Sequence, residues 1–277
     1  MPGSLAYFGP AGTYTEEAAI LYDLSAVLHP YNTIAAVGEA VSSKATDKGV
    51  VPIENSLEGS VTFTLDLLIR ESGLSIYEEI VLPINHYLMA KEGTKEADIQ
   101  VIFSHPQSLA QCREYLERRF PSAQQMASLS NSAAVSDMKE SSTPAAAIAP
   151  RRAAELYNVE ILEAEVQDAA NNVTRFAVLA KQDHPPTGDD KTSVCFSFEK
   201  DEPGILYRSM SEFAVRNINL VKIESRPTRQ SLGEYIFLID CSGHREDPEL
   251  KAALESLGQM ASMLKVLGSY PRWTGKL

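Results

Sequence analysis

Gly49-Val50-Val51-Pro52-Ile53 runs directly into Glu54-Asn55-Ser56-Leu57-Glu58-Gly59-Ser60, and the rest of the chain repeats the pattern of that junction. The five apolar residues fit a strand buried on both faces, as in sheets covered by helices on each side. A loop dense in donors and acceptors follows, and then Val61, Leu65, Leu68 and Ile69 recur at helical spacing. Strand, polar loop and helix make the unit of α/β folds, whose ligands bind at the carboxyl ends of the strands.

Upstream, Leu5-Ala6-Tyr7-Phe8 reads as a strand and Gly9-Pro10-Ala11-Gly12 as a turn. Thr13 stands three residues before Glu16, the spacing of a capping box, so a helix starts there. Its free N–H groups suit an anion, although a plain β–α connection reads equally well. A strand at 26–28 and a helix at 34–43 complete this part.

Downstream, 76–90 is mostly apolar but holds Pro83, which favours two strand segments and a crossing into a second lobe. A strand at 99–103 ends in Ser104-His105-Pro106-Gln107-Ser108, and Leu109, Cys112, Leu116 and Phe120 continue as a helix. The pattern repeats at 126–129 with 132–139, and at 145–149 with a helix that Pro150 starts. Residues 160–168 lead back to Asn171-Asn172-Val173-Thr174-Arg175-Phe176, which enters the apolar strand 177–180. We therefore expect a two-lobed α/β unit with mostly parallel sheets and a periplasmic-binding-protein-like cleft that gathers four polar clusters. The unit spans 1–182, with its second lobe at about 84–158.

Residues 183–191 read as a linker, polar and punctuated by Pro185, Pro186 and Gly188. In 192–277, Val194, Phe196 and Phe198 alternate as in a half-buried strand, and Asp201-Glu202-Pro203-Gly204 makes a turn. Leu206, Met210 and Phe213 then share one helix face. Strands at 219–225 and 234–241, joined by 226–233, precede a helix at 248–260 and a last strand at 263–267. The order βαββαβ is ferredoxin-like, with one helix-free face and free edges that pair with another copy.

A net charge of −12 over 277 residues argues against a nucleic-acid partner. No apolar run reaches the roughly 18 residues of a membrane span. The start Met1-Pro2-Gly3-Ser4 lacks the positive region of a signal peptide. Cys112, Cys195 and Cys241 fit free thiols in a reducing cytoplasm. The five histidines show no ligand spacing, and neither a Walker loop nor a full dinucleotide fingerprint occurs, so neither metal nor cofactor is expected.

Six motifs in order carry a family resemblance. They are Gly9-Pro10-Ala11-Gly12-Thr13-Tyr14, Val51 to Gly59, Ser104 to Cys112, Asn172-Val173-Thr174-Arg175-Phe176, Pro203-Gly204-Ile205-Leu206-Tyr207 and Glu224-Ser225-Arg226-Pro227. The chain resembles the monofunctional prephenate dehydratases with a C-terminal ACT regulatory domain. That resemblance implies decarboxylative dehydration of prephenate to phenylpyruvate without a cofactor. It also implies control by L-phenylalanine and a cytoplasmic homodimer or homotetramer assembled through ACT and catalytic domains. Arogenate dehydratase is the alternative within enzymes, and a non-catalytic amino-acid-sensing binding protein the alternative outside them.

Thr174 is expected to hydrogen-bond the leaving hydroxyl, with Phe176 against the substrate ring. Arg175 either binds a carboxylate or, because strand alternation turns it away, holds the loop from behind. Thr13, Asn55, Ser56, Ser104, Gln107 and Asn172 are the expected substrate-binding residues. Glu54 is either a general acid or structural, and His105 orients its loop. Pro203, Gly204, Ile205 and Leu206, with Glu224, Ser225, Arg226 and Pro227, are the effector-site candidates that the resemblance implies. Removing 193–277 is expected to leave some activity but no phenylalanine response.

Overall fold

In the computed structural model, which describes residues 2–70, 73–200, 202–228 and 234–275, three sheets divide the chain. The first holds β1 (Ser4–Phe8), β2 (Val27–Tyr31), β3 (Lys48–Asn55), β5 (Ser75–Pro83) and β11 (Val173–Ala180), in the order β2-β1-β3-β11-β5. The two-residue β4 (Gly59–Ser60) folds back on the end of β3. Helices α1 (Tyr14–Tyr22), α2 (Ile34–Ser42) and α3 (Thr62–Arg70) cover it.

The second sheet holds β6 (Tyr87–Ala90), β7 (Val101–Ser104), β8 (Gln124–Ala127), β9 (Ala145–Ala149) and β10 (Glu160–Glu163), in the order β10-β6-β9-β7-β8. Its helices are α4 (Pro106–Gln111), α5 (Arg113–Arg119), α6 (Asn131–Glu140) and α7 (Arg151–Tyr157). Ala145–Ala149 is buried at every position, as an all-apolar central strand must be. The segment after 158, expected as a return path, instead contributes β10 to this lobe's edge, antiparallel to β6.

Both sheets are mixed rather than mostly parallel. β1 runs parallel to β2 and β3, but β11 is antiparallel to β3 and β5. The crossover explains the direction. The chain leaves the first lobe at the end of β5 and returns through β11, so β11 starts at the cleft where β3 and β5 finish. Hydrogen bonds from the Ile84 N–H to the Asn172 carbonyl (2.8 Å) and from the Val166 N–H to the His86 carbonyl (2.9 Å) tie the two crossovers together.

The C-terminal unit is βαββαβ, as its pattern predicts: β12 (Asp190–Ser197), α8 (Ile205–Ala214), β13 (Leu220–Pro227), β14 (Tyr235–Ser242), α9 (Pro248–Met260) and β15 (Met263–Pro271). The sheet order is β13-β14-β12-β15. β12 opens at Asp190, within the segment read as linker, and β15 runs on past Leu267. Residue 201 of the expected turn and residues 229–233 of the expected β13–β14 connection lie outside the described residues.

The helix-free face is not free. Val194 and Phe196 pack with Phe213, Ile239, Leu250 and Leu257 under the helices. On the other face Cys195, Leu238, Leu267 and Tyr270 share one core with Ala6, Ile34, Leu65, Leu68 and Ile76 of the first lobe. β12 is therefore buried on both faces rather than half-buried. The approach is so close that a Cβ on Gly268 would lie 2.2 Å from the Ile76 carbonyl oxygen, which only glycine permits. Among the described residues no helix is long and apolar enough to cross a membrane.

Candidate active site

A cleft of about 660 Å³ lies between the two lobes, lined among others by Thr13, Tyr14, Asn55, His86, Gln107, Gln111, Asn131, Thr174 and Phe176. Each wall is a strand end or the loop beyond it. The β1–α1 turn is held against the second lobe by the Ser132 hydroxyl, which donates to the Ala11 carbonyl. Gly12 has φ +82°, and a Cβ there would meet Ser132 Oγ at 2.7 Å. Thr13 caps α1, accepting the Glu16 N–H, but Glu16 does not close the expected box. Its carboxylate accepts the Gly12 N–H (2.7 Å) and pairs with Arg152 of α7 (3.2 Å).

Strand alternation sorts the central motif. Thr174 pairs with Asn55 in the β11–β3 register and faces the cleft with Phe176, while Arg175 faces away. The hydrogen bonds here have a fixed direction. Backbone N–H groups of Leu57 (3.0 Å) and Glu58 (3.1 Å) donate to Asn55 Oδ1, so the Asn55 nitrogen is a donor on its other side. That nitrogen donates to Asn172 Oδ1 and to Thr174 Oγ1, each at 2.8 Å. Asn172 Nδ2 in turn donates to Gln111 Oε1 at 3.0 Å. Thr174 thus accepts from Asn55, and its own proton, without an acceptor among the described residues, is directed to the cleft.

Of the residues expected to bind substrate, Thr13, Asn55 and Gln107 line the cleft, and Asn55 spends its polar atoms on neighbours. Asn172 is buried behind it. Ser56 accepts the Val173 N–H (3.0 Å) and clips the two motifs together outside the cleft. Ser104 is fully buried and donates to the Ile148 carbonyl (2.7 Å), anchoring the loop from within. His105 caps α4, its Nδ1 accepting the Gln107 N–H at 3.3 Å. Glu54 pairs with Arg175 and Lys222 and does not reach the cleft.

Tyr14, His86, Gln111, Ser130 and Asn131 also line the cleft, although none of them is among the expected site residues. A signal for the last two existed, since Ser130 sits at a strand–helix junction and caps α6, accepting the Ala133 N–H at 2.9 Å. Asn131 Oδ1 accepts from Ser108 (2.9 Å), which leaves its amide nitrogen for the cleft.

A family model described as prephenate dehydratase matches residues 5–184, and one described as ACT domain matches 199–259. The bifunctional chorismate mutase/prephenate dehydratase of Aquifex aeolicus is 42% identical over 269 residues, 97% of this chain and 73% of the relative. The prephenate dehydratase of Lactococcus lactis subsp. cremoris is 38% identical over 271 residues, 96% of each chain. Among solved structures, prephenate dehydratase from Arthrobacter aurescens in complex with L-Phe matches with TM-score 0.89 at 36% identity, covering 97% of this chain and 90% of that one.

The chain belongs to the prephenate dehydratase family.

Prephenate is a dianion, and the one carboxylate among the described residues lining this cleft is that of Glu58. Neither Lys nor Arg is among its lining residues. Positive potential comes instead from the N-termini of α1, α3 and α6, which open onto it through Thr13, Val61 and Ser130. Burial lowers the pKa of His86 and of His105 and raises that of Tyr14 well above its ordinary value, so Tyr14 keeps its proton. Among the described residues no group of three or more His, Cys, Asp or Glu side chains is placed to hold a metal ion.

Arg175 lies between the dehydratase and ACT domains of the chain. It contacts Asp240 of β14 (2.8 Å), Glu79 of β5 (3.2 Å) and Glu54 (3.1 Å), and Lys191 joins Glu79 at 2.8 Å. Burial opposes the Asp240 charge, but Arg175 and the Ser193 hydroxyl outweigh it and hold this carboxyl below the usual range. The Glu-Ser-Arg-Pro element docks nearby on the catalytic domain. Glu224 accepts from Ser60 at the cleft rim (2.5 Å), and Arg226 pairs with Asp66 of α3 (2.5 Å). The 203–206 turn stands at the same end of the ACT sheet, because Ile236 pairs with Ser197 on one side and Arg226 on the other.

Proposed function

We propose that this chain converts prephenate to phenylpyruvate. The ring carboxylate leaves as carbon dioxide, the released electron pair aromatises the ring, and the C4 hydroxyl departs as water with uptake of one proton. Aromatisation supplies the driving force, so the enzyme's task is to position a dianion and stabilise charge on the departing oxygen. One observation carries the reading: Asn55 donates to the Thr174 oxygen, which leaves the Thr174 O–H able to donate to the leaving hydroxyl. Phe176 packs against the ring. The amide groups of Gln107 and Asn131 and the three helix N-termini receive the carboxylates, and Thr13 contributes through the start of α1, because its hydroxyl donates to the Pro10 carbonyl (2.9 Å). Asn172 and Asn55 orient Thr174.

L-Phenylalanine is the effector in this reading, bound by Pro203, Gly204, Ile205 and Leu206 with Glu224, Ser225, Arg226 and Pro227. The bound L-Phe named for the Arthrobacter aurescens relative supports this. So does the Glu224–Ser60 contact, which joins the effector motif to the cleft rim. The exposed Val221 and Ile223 on edge strand β13 support a homo-oligomer through the ACT domains, and three buried free thiols fit a reducing cytoplasm. Turnover of prephenate and arogenate side by side, with and without L-phenylalanine, is the test. Faster turnover of prephenate is expected. Preference for arogenate would move the assignment to the amino analogue, and turnover of neither would leave a binding protein.

A further inference from the structure

We propose that His86 is a positioning residue for this reaction: its Nε2–H fixes the Gln111 carboxamide, which through Asn172 and Asn55 keeps Thr174 a donor toward the cleft. The inference rests on the dehydratase reading of Thr174 and extends it to a residue outside every recognised motif.

A row of carboxamides transmits direction, because each one presents an acceptor on one side and donors on the other. The backbone sets one end of this row, where the Leu57 and Glu58 N–H groups hold Asn55 Oδ1. At the far end Gln111 Oε1 already accepts from Asn172 and lies 2.9 Å from His86 Nε2. An unprotonated Nε2 would set lone pair against lone pair. Turning the Gln111 amide to relieve that clash would set its NH₂ against the NH₂ of Asn172 and pass the conflict on to Asn55. The row is consistent only with the proton on Nε2.

The other ring nitrogen completes the argument. With Nε2 protonated, Nδ1 is an acceptor, and the single proton of the Tyr14 hydroxyl is shared in a three-centre bond between Nδ1 (3.0 Å) and the Asn85 carbonyl (2.8 Å). The backbone of His86 is pinned to the return crossover: its N–H donates to Gln167 Oε1 (2.8 Å), and its carbonyl accepts the Val166 N–H (2.9 Å). A buried histidine is commonly only a satisfied core residue. This one lines the cleft and ends a hydrogen-bond row that begins at the reacting hydroxyl.

Glutamine can place an amide nitrogen near the position of Nε2, whereas asparagine reaches only that of Nδ1. His86→Gln should therefore keep kcat within about threefold of wild type. His86→Asn should lower kcat by about 10- to 100-fold with KM within about twofold, as a small misplacement of a reacting group does. Long-range nitrogen–proton NMR of the wild-type ring should show Nε2 protonated and Nδ1 bare, a readout independent of how either variant folds. The proposal is overturned by the opposite tautomer, by equal kcat in both variants, or by a loss confined to KM. Wild-type turnover of prephenate decides the dehydratase reading separately, whatever the His86 variants do.

Discussion

Asn55 donates to the Thr174 oxygen, which in the proposed mechanism leaves the Thr174 proton for the leaving hydroxyl, and Arg175, one residue on, belongs to a different part of the molecule. Its guanidinium is nearly buried among Glu54, Glu79 and Asp240. Removing one member of such a network leaves uncompensated charge, so Arg175→Ala should lose about 3–5 kcal/mol of stability in denaturant unfolding. Its KM for prephenate should change little. A KM raised tenfold at unchanged stability would instead make Arg175 a carboxylate ligand. Alternation placed Thr174 and Phe176 together but left Arg175 open between carboxylate ligand and loop support, because its partners come from distant strands β5 and β14. His86 was not legible, because a lone histidine between two strands carries no spacing to mark it, and its partners come from 14, 111 and 167. Ser104 misled because a serine at a strand end looks the same whether its hydroxyl faces the cleft or, as here, a buried carbonyl.

Among the elements, the strands and helices followed from period and punctuation, but their directions did not. An apolar run such as 177–180 reads the same in either direction, and only the crossover makes β11 antiparallel. The ACT sheet's second face could be seen only in part: Cys195, Leu238, Leu267 and Tyr270 are apolar, yet much of their cover comes from distant residues such as Ala6, Ile34, Leu65 and Ile76. Strand β13 joins the domains through Lys222, Glu224 and Arg226. Asp66→Asn weakens that attachment on the catalytic side. It should alter the L-phenylalanine response by about fivefold or more, within the usual 1–3 kcal/mol of allosteric coupling, and leave basal turnover measurable. An unchanged effector response would remove α3 from the coupling route.

At the scale of the whole molecule, catalytic and ACT domains share a core and a buried charge network, so they do not come apart cleanly. Removing 193–277 would strip Cys195, Leu238, Leu267 and Tyr270 from Ile76 and Leu68 and take Asp240 from Arg175. The truncated chain should therefore melt well below the full-length protein, and any loss of phenylalanine response would come with that loss of stability. Equal melting temperatures would contradict the shared core. The proposed chemistry turns on a single hydroxyl at the centre of this assembly. Steady-state kinetics of Thr174→Ala on prephenate test it most directly: kcat should fall by about 10²–10³-fold, the usual cost of one transition-state donor, with KM nearly unchanged. Wild-type-like kcat in the folded variant would contradict it.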